Sequence, residues 1–381
     1  MDPHLLLAAA EGSNPTLIPA LLDPTADPGE LLCPTRARTL KLPRALQQRL
    51  ANRSLLEQRV RTWLELASRL DITILTPRSE TYPARLRNAP LRPLALFLKG
   101  PPRALATCQR TVAIVGSRTP TAYGRAASHD FATSLVRAGF VIWSGLAIGI
   151  DGVAHRACVS SGQPTVAVLA GGLDRIYPAS HHGLAHEILA AGGCLLSETP
   201  PGQRATRGHF PRRNRILAAA VEAVLVIEAG QASGSLHTAN HAAETGVPVF
   251  AVPGPYTNPR SRGCHELIAQ GAQIALDPED VLRRLQVEAG LRSDGFRMDL
   301  DLSADEEAIR RVLEQGPRPA DLVQRETRLG PEHFLEVLAS LQERGRIQSL
   351  AGDLLALNHP TALHEPPEKK ADASRPAGEG D

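Results

Sequence analysis

Arg204, Arg207, Arg212, Arg213 and Arg215 crowd into the segment Gly202–Arg215, and no acidic residue lies between Glu198 and Glu222. Phe210 is the segment's lone aromatic. A basic loop with one ring suits an unpaired polyanionic strand. Guanidinium groups neutralise phosphates, and a ring stacks on a splayed base for about 1–3 kcal/mol. Two bland readings stand beside this one: Phe210 can anchor the loop to the core, and Asn214 fits a backbone brace better than a base reader.

Three other stretches could meet an anion. Gly116-Ser117-Arg118 follows the apolar run Thr111–Val115, and a helix is expected to begin near Tyr123-Gly124. Bare backbone and a helix N-terminus there favour negative charge, with Arg118 placed to meet a phosphate. The alternative is an ordinary strand-to-helix turn with a solvated arginine. Ser144-Gly145 opens a second such tip, which runs on to Asp151. Ser233-Gly234 opens a third, where Ser233 serves either as a phosphate ligand or as a helix N-cap.

Other chemistries are disfavoured. The dinucleotide fingerprint G-x-G-x-x-G is absent, so no nicotinamide cofactor is expected. Asp151 and His155 stand four apart on an expected helix, a spacing that suits local pairing better than catalysis without a nucleophile nearby. His181, His182, His186 and Glu187 resemble a metal cluster, but no second ligand group accompanies them. Ser180 is expected to cap their helix and leave the histidines on its exposed face. No catalytic residue, metal or cofactor is expected.

The elements that must position these residues are legible as a rhythm. Apolar runs at Thr111–Val115, Val141–Trp143, Thr165–Leu169, Cys194–Ser197, Ala223–Ile227 and Val247–Val252 read as strands buried on both faces. Helical stretches alternate with them at Tyr123–Ala138, Ser180–Ala190, Arg212–Ala220 and Ser233–Thr245. That alternation predicts an α/β fold: a Rossmann-like, doubly wound, mostly parallel sheet with its ligand crevice at the carboxyl ends of the strands. Residues 1–80 read as a small helical domain, best defined at Ser54–Leu70 with Ser54 as N-cap. Residues 81–285 form the Rossmann-like domain and 286–302 a linker. Residues 303–358 carry three helices (Ala304–Glu314, Pro319–Glu326, Pro331–Arg344) and a hairpin (Ile347–Leu350, Leu354–Leu357), a winged-helix-like order. Residues 359–381 have the composition of a disordered tail.

Composition bounds the setting. The net charge is only +2, but 38 of the 42 basic residues are arginine. Genomic codon bias accounts for that excess simply, although arginine's planar fork does suit phosphates. Five scattered cysteines argue against a disulfide framework and fit a reduced, cytoplasmic compartment. No apolar run approaches the ~20 residues of a membrane helix, so no membrane partner is expected. The opening Met-Asp-Pro-His lacks the basic region of a secretory signal.

Taken in order, Ala113–Arg118, Ser144–Asp151, Gly171–Pro178, Ser197-Glu198, Phe210–Arg215, Glu228–Thr238 and Val252-Pro253-Gly254 resemble the DNA-processing protein A (DprA/Smf) family. The likeness covers most of residues 80–280. It implies a protein of natural transformation that binds and protects incoming single-stranded DNA, loads a RecA-type recombinase onto it, and forms a homodimer through the Rossmann-like domain. It further implies a DNA pocket lined by Gly116, Ser117, Arg118, the Gly202–Arg215 segment, Ser233 and Gly234, and a SAM-like N-terminal domain. Arg204 and Arg207 carry over less directly, because the family's basic residues there vary in position. A rival is a nucleotide-processing, phosphoribohydrolase-like enzyme. Its P-G-G-x-G-T-x-x-E loop would fall where this chain reads Ala232-Ser233-Gly234-Ser235-Leu236-His237-Thr238.

Overall fold

The computed structural model describes residues 1–11, 28–33, 42–106, 110–288, 303–313, 318–343, 347–350 and 354–357. Most of the expected linker, the hairpin turn Ala351-Gly352-Asp353 and the tail 359–381 lie outside them. The described residues fall into two units, one within Met1–Arg292 and one within Ser293–Asp381.

The first unit is built on a nine-stranded sheet in the order β1-β2-β6-β5-β4-β3-β7-β8-β9. The six expected strands are β3 (Thr111–Val115), β4 (Val141–Ser144), β5 (Thr165–Leu169), β6 (Cys194–Ser197), β7 (Ala223–Val226) and β8 (Val249–Ala251). All six run parallel. Every residue of β3, β5, β6 and β7 is buried, which is why these strands read as unbroken apolar runs rather than alternating ones. One edge gains β1 (Ile72–Leu75) and β2 (Leu96–Lys99), both antiparallel to their neighbours. The other gains the short β9 (Gln273–Ile274).

Helices cover both faces. Val112, Ile114, Ile142, Leu225 and Phe250 pack under the helices Ala122–Arg137, Ile150–Ser160 and Pro278–Glu288. Val115, Trp143, Val168, Val224 and Val226 pack under His209–Ala220, Gly234–Glu244 and Arg262–Ala269. The fold is therefore Rossmann-like, doubly wound and mostly parallel.

The N-terminal helices do not stand apart as the sequence suggested. Pro3–Glu11, Arg44–Ala51 and Arg53–Arg69 bury Leu6, Leu46, Leu56 and Val60 in one core with Phe97, Leu169 and Leu195 of the sheet. Trp63 meets Phe97 edge to face at 5.8 Å. β1 lies inside the expected 1–80 domain yet belongs to the sheet. The helix Arg53–Arg69 is capped by Asn52, whose side chain accepts from Leu55 N–H, and not by Ser54.

The second unit has helices Ala304–Leu313, Ala320–Thr327 and Pro331–Glu343 and a three-stranded antiparallel sheet, order β10-β12-β11 (Arg318–Pro319, Leu354–Leu357, Ile347–Leu350). Ile309, Leu313, Val323, Phe334 and Leu341 form its core. Ser303 and Glu306 form a reciprocal capping box at its first helix. Among the described residues, no helix is long and apolar enough to cross a membrane.

Candidate nucleic-acid interface

The sheet order places the site. β3 lies between β4 and β7, so the connections leave it in opposite directions and the loops part at its carboxyl end. A cleft of about 580 Å³ opens there, lined by Gly116–Thr119 after β3, Ala147 and Asp151 after β4, Phe210, Pro211, Arg213 and Asn214, and Gly230, Ala232–Ser235, His237 and Thr238 after β7.

Arg118 is exposed at the cleft mouth and sits over the Phe210 ring, its guanidinium carbon 5.3 Å from the ring centre. The arginine turn and the basic segment are thus joined across the cleft. The ring meets Tyr177 edge-on at 5.9 Å. Phe210 thus has a guanidinium over it and a ring against its edge, and the cation–π contact helps to place Arg118.

The turn carrying Arg118 is fixed from both sides. Ser117 N–H donates to Glu228 O at 2.7 Å, and Ile150 N–H donates to Ser117 O at 3.1 Å. The Ser117 hydroxyl accepts from Thr119 N–H. Glu228 is buried and accepts from Thr121 N–H and the Thr121 hydroxyl, while that hydroxyl accepts from Gly124 N–H to cap the next helix. Gly116 is needed for packing: a Cβ there would come within 2.7 Å of Ile150 Cγ1 and 2.9 Å of Glu228 O. Ser233 is the N-cap of Gly234–Glu244, accepting from Ser235 N–H, and still lines the cleft beside Gly234.

Several residues singled out from the sequence are engaged by other groups of the protein, whether or not they line the cleft. The Ser144 hydroxyl is buried and donates to Ile114 O at 2.6 Å. Gly145 leaves room for Arg213: a Cβ would lie within its guanidinium. Arg213 is buried and donates to Gly145 O at 2.6 Å, to Val168 O and to Asn214 Oδ1. Asp151 accepts from Gly145 N–H and Ala147 N–H. Burial pushes the Asp151 carboxyl up, and the Arg213 guanidinium and those two N–H groups oppose it. Arg215 is buried and pairs with Glu198 and with Leu91 O. Arg212 lines a separate cavity of about 340 Å³, between the N-terminal helices and the sheet, with Arg59, Glu198 and His209. Asn214 donates to Gly234 O at 3.1 Å, the brace its type suggested. Arg204 and Arg207 are exposed on the loop before the helix.

Asp151 and His155 do not pair. The Thr165 hydroxyl donates to Ile142 O, so His155 Nδ1–H donates to that hydroxyl at 2.9 Å. Burial pushes His155 down to about 3. The unfolded chain then takes up a proton near pH 6.5 that the folded chain refuses, so this contribution holds above that pH and is lost as pH falls below it. We expect unfolding free energy to drop by about 1.4 kcal/mol per pH unit from pH 6.5 towards 5, and His155→Gln to remove that slope. Equal slopes in chemical denaturation of the two proteins would refute the assignment. His181 is also buried, against expectation, and its Nδ1 meets Leu146 O at 2.9 Å. Among the described residues, no three His, Cys, Asp or Glu side chains cluster to hold a metal.

Sequence reasoning missed Tyr177, Arg175 and Arg260. The first two follow β5 and the last follows β8, and they reach the cleft region only through strand order.

A doubly wound sheet with an exposed arginine and glycine-serine turns at its switch point defines the class: a Rossmann-like protein with an open cleft at the carboxyl edge of its sheet. The family model for DNA recombination-mediator protein A matches residues 73–286. The chain belongs to that family. It is 39% identical over 297 residues to a Mycobacterium tuberculosis (strain CDC 1551 / Oshkosh) protein named as a DNA processing protein DprA, covering 74% of this chain and 76% of that one. It is 44% identical over 224 residues to Protein Smf of Escherichia coli (strain K12), covering 59% of each. The structure of DprA from Streptococcus pneumoniae superposes with a TM-score of 0.60 at 30% identity, over 74% of this chain and 98% of that one. A Helicobacter pylori DprA structure, described for its single-stranded DNA binding mode, matches with a TM-score of 0.52 at 29% identity, over 57% of this chain and 96% of that one.

Proposed function

We propose that this chain binds single-stranded DNA across the carboxyl edge of its sheet, without catalysis, and delivers that strand to a RecA-type recombinase in the cytoplasm. The observation that carries the reading is Arg118, exposed over Phe210 at the mouth of the cleft. Ser117, Ser233 and Gly234 supply small, polar walls, and Arg204 and Arg207 add charge on the flanking loop. The carboxylates nearest the cleft are already engaged, Asp151 by backbone N–H groups and Glu228 by Thr121. That disfavours the phosphoribohydrolase-like alternative, which an AMP turnover assay would reveal. The Helicobacter pylori relative's described ligand supports the same substrate class. Recombinase loading and a homodimer through the Rossmann-like unit are read from family membership. We read the second unit as winged-helix-like, but Glu332 and Glu336 on its helix Pro331–Glu343 disfavour phosphate contact there.

A salt titration of oligo-dT binding tests the proposal. Each phosphate neutralised contributes about −0.7 to the slope of log affinity against log salt for a single strand. Three to four contacts, the number Arg118, Arg204, Arg207 and one further cation would make, predict a slope of roughly −2 to −3. A flat affinity would end the reading.

A further inference from the structure

The cleft does not end at the β7 tip. It shares Gly230 and Arg260 with an outer recess of about 420 Å³ beyond β8, whose wall includes Tyr256 and Asn258. On its other side it shares Arg118, Ala147 and Phe210 with a small recess at Tyr177 and Arg175. The three hollows thus form one row along the tips of β5, β4, β3, β7 and β8.

The outer recess has the parts of a second contact. Tyr256 is 92% exposed, and so offers both faces of its ring to solvent. Arg260 is exposed in a braced segment, where the Asn258 side chain accepts from Arg260 N–H at 3.0 Å. Neighbouring Arg262 is held by Glu266 at 3.7 Å, and Glu266 also accepts from Gln231. Arg260 is therefore the cation turned to the shared wall.

Resting on the reading that the cleft holds single-stranded DNA, we infer that the strand continues past β7, where Tyr256 stacks on a base and Arg260 contacts a phosphate. Geometry sets the scale. Neighbouring strands lie about 4.8 Å apart, so the row from β5 to β8 spans about 19 Å. At a stacked rise of ~3.4 Å this holds about six nucleotides, against about four for the row from β5 to β7 alone.

The test is a length series of oligo-dT, four to twelve nucleotides, bound to the full chain, to Tyr256→Ala/Arg260→Ala and to Arg118→Ala. The double variant is expected to bind dT4 as the parent does, to bind dT8 roughly fivefold or more weakly, and to reach its plateau two nucleotides sooner. Arg118→Ala is expected to lose affinity at every length. Parent-like binding of dT8 by the double variant, with Arg118→Ala impaired, overturns the extension and leaves the cleft assignment standing. An unimpaired Arg118→Ala overturns the cleft assignment itself. An equal loss at dT4 and dT8, or a changed oligomeric state on size exclusion in the double variant, assigns Tyr256 to another role and also overturns the extension.

Discussion

Arg118→Ala is expected to weaken oligo-dT binding by well over tenfold and to make the salt slope shallower by about 0.7. A hydrogen bond from a charged donor contributes about 1.5–3 kcal/mol, equal to roughly 10- to 150-fold in affinity. Arg118 should reach the upper part of that range because its freedom is already spent. Its turn is tied to Glu228 O and to Ile150 N–H, and its guanidinium rests over Phe210. Little side-chain entropy remains to be lost when a phosphate arrives. Arg118→Lys keeps the charge but loses the planar fork and most of the ring contact, so its slope should match the parent while its affinity falls between parent and alanine. Arg204→Ala and Arg207→Ala should change the slope by the same amount with a smaller loss of affinity, since both side chains are exposed on the flanking loop. Fluorescence anisotropy at four or five salt concentrations measures both quantities. An Arg118→Ala protein within twofold of the parent, with an unchanged slope, would place the DNA elsewhere.

The sequence made the sheet readable and the arginine cluster misleading, for one reason: periodicity. Strands buried on both faces need no alternation, so β3, β5, β6 and β7 stand out as apolar runs whatever their neighbours are. Three of the five arginines sit on a helix, His209–Ala220. At about 100° per residue, Arg213 lies 100° one way and Arg215 60° the other way around the axis from Arg212, a spread of 160°, so the three cannot all turn to one cleft. The structure gives them three different partners: the cavity under the N-terminal helices for Arg212, the Asp151 network for Arg213 and Glu198 for Arg215. Arg118 was legible because a glycine-serine turn after the first parallel strand has a position fixed by topology. Tyr177 and Arg260 were not, because strand order alone brings residues 83 positions apart to one edge. The N-terminal boundary failed similarly. Ile72–Leu75 pairs with Leu96–Lys99, and no local pattern announces the partner of an edge strand.

The same network yields the second large effect, which falls on stability. Arg213→Met should destabilise the first unit by about 3–5 kcal/mol, because it removes one member of a buried charged cluster and leaves Asp151 without its counter-charge. In a domain of this size that corresponds to a fall in melting temperature of roughly 6–20 °C. Gly145 O and Val168 O, at the tips of β4 and β5, would lose a shared donor at the same time. The pH dependence identifies the cause. Without Arg213, burial raises the Asp151 carboxyl further above its unfolded value, so the carboxyl favours the fold only while protonated. The variant's deficit should therefore be small at acid pH and grow as pH rises. Adding Asp151→Asn should recover part of the loss and flatten that dependence, since a neutral amide needs no counter-charge. Were Arg213 instead a DNA ligand, Arg213→Met would melt with the parent at every pH and lose affinity for oligo-dT in the folded state. Thermal melts from pH 5 to 8, run beside anisotropy on the same samples, separate a residue that builds the cleft floor from one that touches the strand.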